Sequence, residues 1–369
     1  MLKTKLITII LGTRPEAIKL APLIIAFRKN NNFITRVVFT GQHQDMVEQV
    51  MNIFQINYDL NLNVMKHNQS ISQITNSVLD GLEKEFIKFK PSLVIVQGDT
   101  STAFSAALAA FYQKIPVGHV EAGLRTNNLF NPFPEEANRR LISQLTTLHF
   151  APTKLAKQNL IDSSLVGEIF ITGNTVIDAL MMVSKKELKL PTKNIDWYLN
   201  DVIFATLHRR ENWGENIISI SKSFLKILDE LPNAALVIPL HPNKKVRDPI
   251  KKILDRHNRV ELIEPLDYQQ SVSCMKKAKV ILTDSGGIQE EAPSLSKPVL
   301  VLRDSTERIE AVEAGTAKII GTNSENVIKE TIKLMTDENL YNSMVKTLNP
   351  YGDGKASERI IEICENFFK

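Results

Sequence analysis

The stretch VILTDSGGIQEE, residues 280–291, opens with the apolar run Val280-Ile281-Leu282 and ends in residues that read as the start of a helix. Between them, Ser285-Gly286-Gly287 forms a strand-to-helix turn of the kind that brings backbone N–H groups against an anion, most often phosphate. Glu290 and Glu291 follow within one helical turn, so two acids stand beside a turn suited to an anion.

The same order of strand, turn and helix runs outward in both directions. Upstream, LITIIL (6–11), RVVFT (36–40), SLVIVQ (92–97), PVGHV (116–120) and EIFIT (168–172) read as short β-branched strands. Helical spacing marks DMVEQVMNIF (45–54) and TAFSAALAAFY (102–112) between them. The second half repeats the scheme with DVIFATL, ALVIPL, VELIE, KVILT, PVLVL and AKIIG. Such alternation predicts an α/β protein of two doubly wound, Rossmann-like domains with parallel sheets, facing a central cleft. The polar stretch KKELKLPTKNID lies in the region of the change of domain. We expect a first domain over 1–172, completed by a C-terminal helix within 353–369, and a second over 173–352.

Composition agrees with this size and class. A chain of 369 residues exceeds what one core usually supports, so two domains are the default. The 45 basic and 41 acidic residues nearly balance, and the lysines are scattered, which gives no footprint for nucleic acid. The two cysteines, Cys274 and Cys364, stand in no metal-ligand spacing, so neither structural zinc nor a disulfide framework is expected. The apolar run LITIILG before Arg14 is too short to span a membrane, and a cytoplasmic location is expected.

In open parallel sheets, ligands sit beyond the carboxyl ends of the strands, so the polar residues there carry the functional reading. In GTRPEAIKLAPL (12–23), Pro15 and Glu16 are ordinary helix-start residues, whereas Arg14 at a helix N-terminus opposes the dipole and calls for an anion. The absence of GxGxxG and GxxxxGK[ST] argues against a dinucleotide or P-loop site. In QGDTST (97–102), Asp99 is accounted for by capping the helix that starts near Thr100. His119 and Glu121 form H-x-E in HVEAGLRT (119–126), but the PCxxC partner of zinc deaminases is missing and no metal is expected. Glu135 and Glu136 open a helix in PFPEEANRR (132–140), favourable for the dipole whatever the function. His208 follows the strand DVIFATL beside two arginines. Fold class brings Asp99, Glu121, Glu135 and His208 to one cleft, where neighbouring titratable groups suit acid/base work.

The motifs GTRPEAIKLAPL, QGDTSTAF, PVGHVEAGLRT, FPEEANRR, FITGNTVIDAL, HRREN, LTDSGGIQEEAPSLSKPVLVLRDSTERIEAVEAGT and NPYGDGKASERI occur in the order seen in non-hydrolysing UDP-N-acetylglucosamine 2-epimerases, which the chain resembles. The resemblance implies a glycosyltransferase-B-like fold and reversible inversion at the sugar C2 without metal or other cofactor, feeding surface polysaccharide. It implies that Asp99, Glu121 and Glu135 are the carboxylates of the proton transfers and that His208 lies near the diphosphate. Arg14, Lys19 and Arg139, with Ser285, Gly286 and Gly287, are the implied substrate-binding groups, and Glu291 takes the ribose while Glu290 is read as solvated. A homodimer is implied, with a UDP-sugar as ligand and neither nucleic acid nor membrane as partner.

Two departures from the family pattern stand out. Ser271 in YQQSVSCM occupies the place where an aromatic residue against uracil is common. Gln42, His43, Arg210 and His241 match a second, regulatory nucleotide-sugar site of some bacterial members, yet Asp45 replaces a common Gln and KHNQS (66–70) lacks an Arg. A C2 epimerase of a modified UDP-sugar, and a glycosyltransferase of the same fold, are the competing readings. A hydrolysing relative and a non-catalytic nucleotide-sugar sensor are weaker ones.

Overall fold

The computed structural model describes residues 4–42, 44–66, 69–126, 128–187 and 189–369. They form two compact units, one of residues up to Met182 together with Tyr351–Lys369, the other Val183–Pro350.

The first unit is built on seven strands: β1 (Lys5–Leu11), β2 (Phe33–Phe39), β3 (Leu60–Asn61), β4 (Leu93–Gln97), β5 (Val117–Val120), β6 (Leu148–Ala151) and β7 (Glu168–Ile171). They lie in the order β3-β2-β1-β4-β5-β6-β7 and every pairing is parallel. All five residues of β4 are buried, as expected for a strand covered by helices on both faces. The order reverses between β1 and β4, which is the switch point where ligands of such sheets bind. Helices Ile71–Lys88 and Ser101–Tyr112 contribute Val78, Leu82, Phe86, Ala103, Ala106 and Ala110 to the core on one face.

The sequence reading ends the first domain at 172, whereas the helix Thr175–Ser184 still begins in the first unit. The reason is a set of polar ties to the C-terminal segment. The Asn174 N–H donates to the Tyr351 carbonyl at 2.8 Å. Buried Asp178 accepts from the Ser357 and Ala356 N–H groups at 2.7 and 3.2 Å, where the helix Ala356–Phe367 begins. Burial raises the Asp178 carboxyl above its ordinary value, and these donors partly offset the rise.

The second unit has six strands: β8 (Asp201–Thr206), β9 (Ala234–Pro239), β10 (Val260–Ile263), β11 (Val280–Thr283), β12 (Val299–Val301) and β13 (Ala317–Ile319). Their order is β10-β9-β8-β11-β12-β13, again all parallel, and it reverses between β8 and β11. All six are the strands read from the second half of the sequence. No helix among the described residues is long and apolar enough to cross a membrane.

Candidate active site

In the first unit the turns after β1 and β4 are lashed together by Glu16. Its buried carboxylate accepts from the Gly12 and Thr13 N–H groups at 2.9 and 2.6 Å, the Thr13 hydroxyl at 2.8 Å and the Thr100 hydroxyl at 2.6 Å. Burial raises this carboxyl, the four hydrogen bonds oppose the rise, and the group serves as structure. Thr100, in turn, caps the helix Ser101–Tyr112 by accepting from the Ala103 N–H. The cap reading of Asp99 therefore falls away. The Asp99 carboxylate instead receives Arg139 Nε and Nη2, both at 2.7 Å, and its carbonyl receives Asn138 Nδ2 at 2.8 Å.

Glu121 follows β5 in a left-handed backbone conformation, φ 64°, which a non-glycine residue adopts only when its surroundings hold it. Those surroundings are explicit. Lys19 Nζ reaches Oε1 at 2.5 Å, Asn174 Nδ2 reaches the same oxygen at 3.0 Å, and Gln97 Nε2 donates to Oε2. Because Val120 pairs with Gln97 and accepts from the Gly98 N–H, Asp99 and Glu121 lie at the ends of neighbouring strands. The fold thus brings Lys19, Asp99, Glu121 and Arg139 together. Gln97, Asn138 and Asn174 are additional members, visible beforehand only as polar residues inside the motifs. Glu135 begins the helix Glu135–Leu145, half-buried and with no side-chain hydrogen bond among the described residues. Its neighbour Glu136 is fully buried on Arg140, Arg139 and the Thr126 N–H. Arg14 is half-buried at the first position of the helix Arg14–Lys29.

His119 is a core histidine. Its Nε2–H donates to the Gly98 carbonyl at 2.7 Å, and burial pushes the ring down to about 3. Its strand neighbour His149 is pushed down to about 4, also by burial. Below the ordinary value of 6.5 the unfolded chain takes up protons that the folded unit refuses, so stability falls with acidification from about pH 6.5 toward 4. Each histidine should cost roughly 2 kcal/mol between pH 6.5 and 5. His119→Gln, which keeps a donor for Gly98, should remove about half of the loss in urea titrations at the two pH values. Parallel losses in variant and parent would refute the assignment.

In the second unit, His208 stands just beyond β8 and Asp284 just beyond β11. His208 Nδ1 lies 2.9 Å from the Asp284 carboxylate, and the ring of His241 stacks on that of His208 with centroids 6.4 Å apart. Burial alone would raise the Asp284 carboxyl, but its bonds to His208 and to the His208 and Arg209 N–H groups outweigh this and lower it. The turn that follows contains Ser285, half-buried, whose N–H donates to Thr283 Oγ1, and then the short helix Gly286–Glu291. A Cβ at Gly286 would sit 3.3 Å from Arg308 Cζ, so the guanidinium lies close over the turn. Arg308 is held by Glu290 at 2.7 Å, so Glu290 is buried and ion-paired rather than solvated. Glu291 accepts from the Tyr268 hydroxyl at 2.6 Å. The aromatic of the helix Tyr268–Lys277 thus supports Glu291, while Ser271 remains half-exposed.

Of the expected regulatory set, Gln42 accepts from the Thr102 hydroxyl in the first unit. Arg210 is exposed, 6.0 Å from the Trp213 ring in the second, and His43 lies outside the described residues.

A family model described as UDP-N-acetylglucosamine 2-epimerase matches residues 25–365. The chain belongs to that family. A Neisseria meningitidis protein named UDP-N-acetylglucosamine 2-epimerase is 51% identical over 362 residues, spanning 96% of this chain and 97% of its own. The crystal structure of a UDP-GlcNAc 2-epimerase from Neisseria meningitidis bound to UDP-GlcNAc superposes with a TM-score of 0.88 at 48% identity, covering 98% of this chain and all of that one. A Methanocaldococcus jannaschii UDP-GlcNAc 2-epimerase in complex with UDP-GlcNAc and UDP gives 0.78 at 35% identity, covering 98% and 99%. Epimerase family membership therefore extends over both units.

Proposed function

We propose that this protein inverts C2 of UDP-N-acetylglucosamine, interconverting it with UDP-N-acetylmannosamine. Family membership and the UDP-GlcNAc found in the Neisseria structure support the substrate. The observation that carries the chemistry is the pair Asp99 and Glu121 at neighbouring strand ends, each held by its own cation.

A sugar C2 proton is weakly acidic, so its loss has to be coupled to departure of a good leaving group. In the proposed step a carboxylate takes the C2 proton, the C–H pair forms the C1=C2 bond, and the C1–O pair leaves with the β-phosphate oxygen of UDP. The resulting 2-acetamidoglucal is re-protonated at C2 on the opposite face while UDP re-attacks C1. Proton traffic on two faces requires more than one acid/base group, which Asp99, Glu121 and Glu135 provide. His208, Arg14 and the turn Ser285-Gly286-Gly287 meet the charge on the diphosphate, Glu291 takes the ribose hydroxyls, and Lys19 and Arg139 hold the carboxylates in place. A homodimer in the cytosol belongs to the same reading.

Incubation with UDP-GlcNAc in D2O should place one deuterium at C2 of both sugars and yield UDP-ManNAc, read by NMR and mass spectrometry. A panel of UDP-sugars run in parallel separates this substrate from modified ones. No exchange with any member of the panel would refute the function.

A further inference from the structure

The buried carboxylate of Asp284 has no assigned part in the reaction above, yet its surroundings are those of a built device. Its side chain is fully buried. The His208 N–H reaches both oxygens at 3.1 and 3.0 Å, the Arg209 N–H reaches Oδ2 at 2.9 Å, and Asn212 Nδ2 reaches Oδ2 at 3.0 Å. Asn212 is itself fixed, since it also donates to the Leu302 carbonyl at 3.1 Å. From below, Thr206 and Thr283 on the paired strands share a hydroxyl hydrogen bond of 2.6 Å. Every one of these contacts could serve merely to anchor the loop after β8. The contact to His208 Nδ1 at 2.9 Å does more, because a loop anchor has no need of the imidazole.

We infer that Asp284 is a positioning residue for His208, fixing the ring with Nδ1–H on its own carboxylate and leaving Nε2 as the nitrogen offered to substrate. A carboxylate accepts only, so Nδ1 must donate to it, and a proton carried by Nε2 then faces the diphosphate oxygens while Asp284 balances the charge of the ring. His208 keeps about 40% of its side chain exposed while Asp284 keeps none, so the reactive end of the pair is the imidazole. The ring of His241 lies nearly parallel to that of His208, beyond the end of β9, and the His241 Nδ1 is already occupied by the Asn243 N–H. Trp213 closes the same loop, with its indole N–H on the His208 carbonyl at 3.3 Å. The arrangement removes two costs at once: the choice between tautomers, and the freezing of the ring when the diphosphate arrives.

This inference rests on the role proposed for His208, and the test keeps the two apart. The full chain is labelled with 15N-histidine, and the His208 signals are assigned by comparison with His208→Gln. The parent should show a proton on His208 Nδ1, downfield and exchange-protected. In Asp284→Asn the amide still accepts from the backbone N–H groups but donates to the ring, so Nδ1 should lose its proton and no carboxylate remains to balance a ring protonated on both nitrogens. The kcat for C2 deuterium exchange should then fall roughly 10²-fold, with the Kd for UDP changed less than about threefold. A parent ring with no proton on Nδ1 overturns the inference even if the variant folds poorly, and so does Asp284→Asn with the parental kcat. Full activity in His208→Gln would overturn the role of His208, while the tautomer measurement still judges Asp284 on its own.

Discussion

Glu121→Gln is expected to lower kcat for C2 exchange by about 10³-fold or more, with UDP affinity unchanged, the loss typical of removing an acid/base group. Glutamine preserves the shape and keeps one accepting oxygen, enough for either Asn174 or Gln97 but not both, and it cannot take up or release the proton. It also leaves the Lys19 ammonium, 13% exposed, beside a neutral amide. Breaking such a buried pair from one side costs about 3 kcal/mol, so the variant should melt earlier. Replacing Lys19 by Met in the same chain removes the orphaned charge and should recover most of the melting temperature without recovering activity. Recovery of activity along with stability would show that Glu121 is a structural residue and that proton transfer belongs elsewhere.

Glu291→Ala is the second large effect, and it falls on binding. A carboxylate accepting from ribose hydroxyls contributes a charge-assisted hydrogen bond of about 1.5–3 kcal/mol, so UDP affinity should drop roughly 10- to 100-fold. Inorganic pyrophosphate lacks the ribose and should lose far less, which titration calorimetry with the two ligands would show. Tyr268→Phe removes the hydroxyl that holds Oε1 while sparing the carboxylate, and should give a smaller loss in the same direction. Equal losses for UDP and pyrophosphate in Glu291→Ala would mean that the residue shapes the turn at Gly286 and does not contact the nucleoside.

The strand ends were legible because a β-branched run that stops at a polar residue is a local signal. Gly12, Asp99, Glu121, His208 and Ser285 all lie within two residues of such an end. Two strands lack that signal. β3 has two residues, and β6 carries a buried histidine among four, so neither offers the apolar run that marks its neighbours. The supporting residues were hidden for a different reason. Asn174 meets Glu121 across 53 positions and Asp284 meets His208 across 76, and no local pattern encodes contacts at that separation. Glu290 shows the converse error. An acid in a polar stretch looks solvated until Arg308, 18 positions later, is found folded over it. Capping grammar was sound for Glu16 and misleading for Asp99, since the adjacent Thr100 performs that task with its hydroxyl.

The acids of these sites have a further consequence for how a ligand arrives. Asp99, Glu121 and Glu136 in the first unit, and Glu290 in the second, each hold an arginine or lysine within 3.3 Å. Opposite charges this close cancel beyond a few ångströms, and salt damps what survives over about 8 Å at physiological ionic strength. These paired carboxylates therefore neither drive off nor draw in, from a distance, a sugar nucleotide bearing two negative charges. Their part in the encounter begins only after collision, through short-range hydrogen bonding.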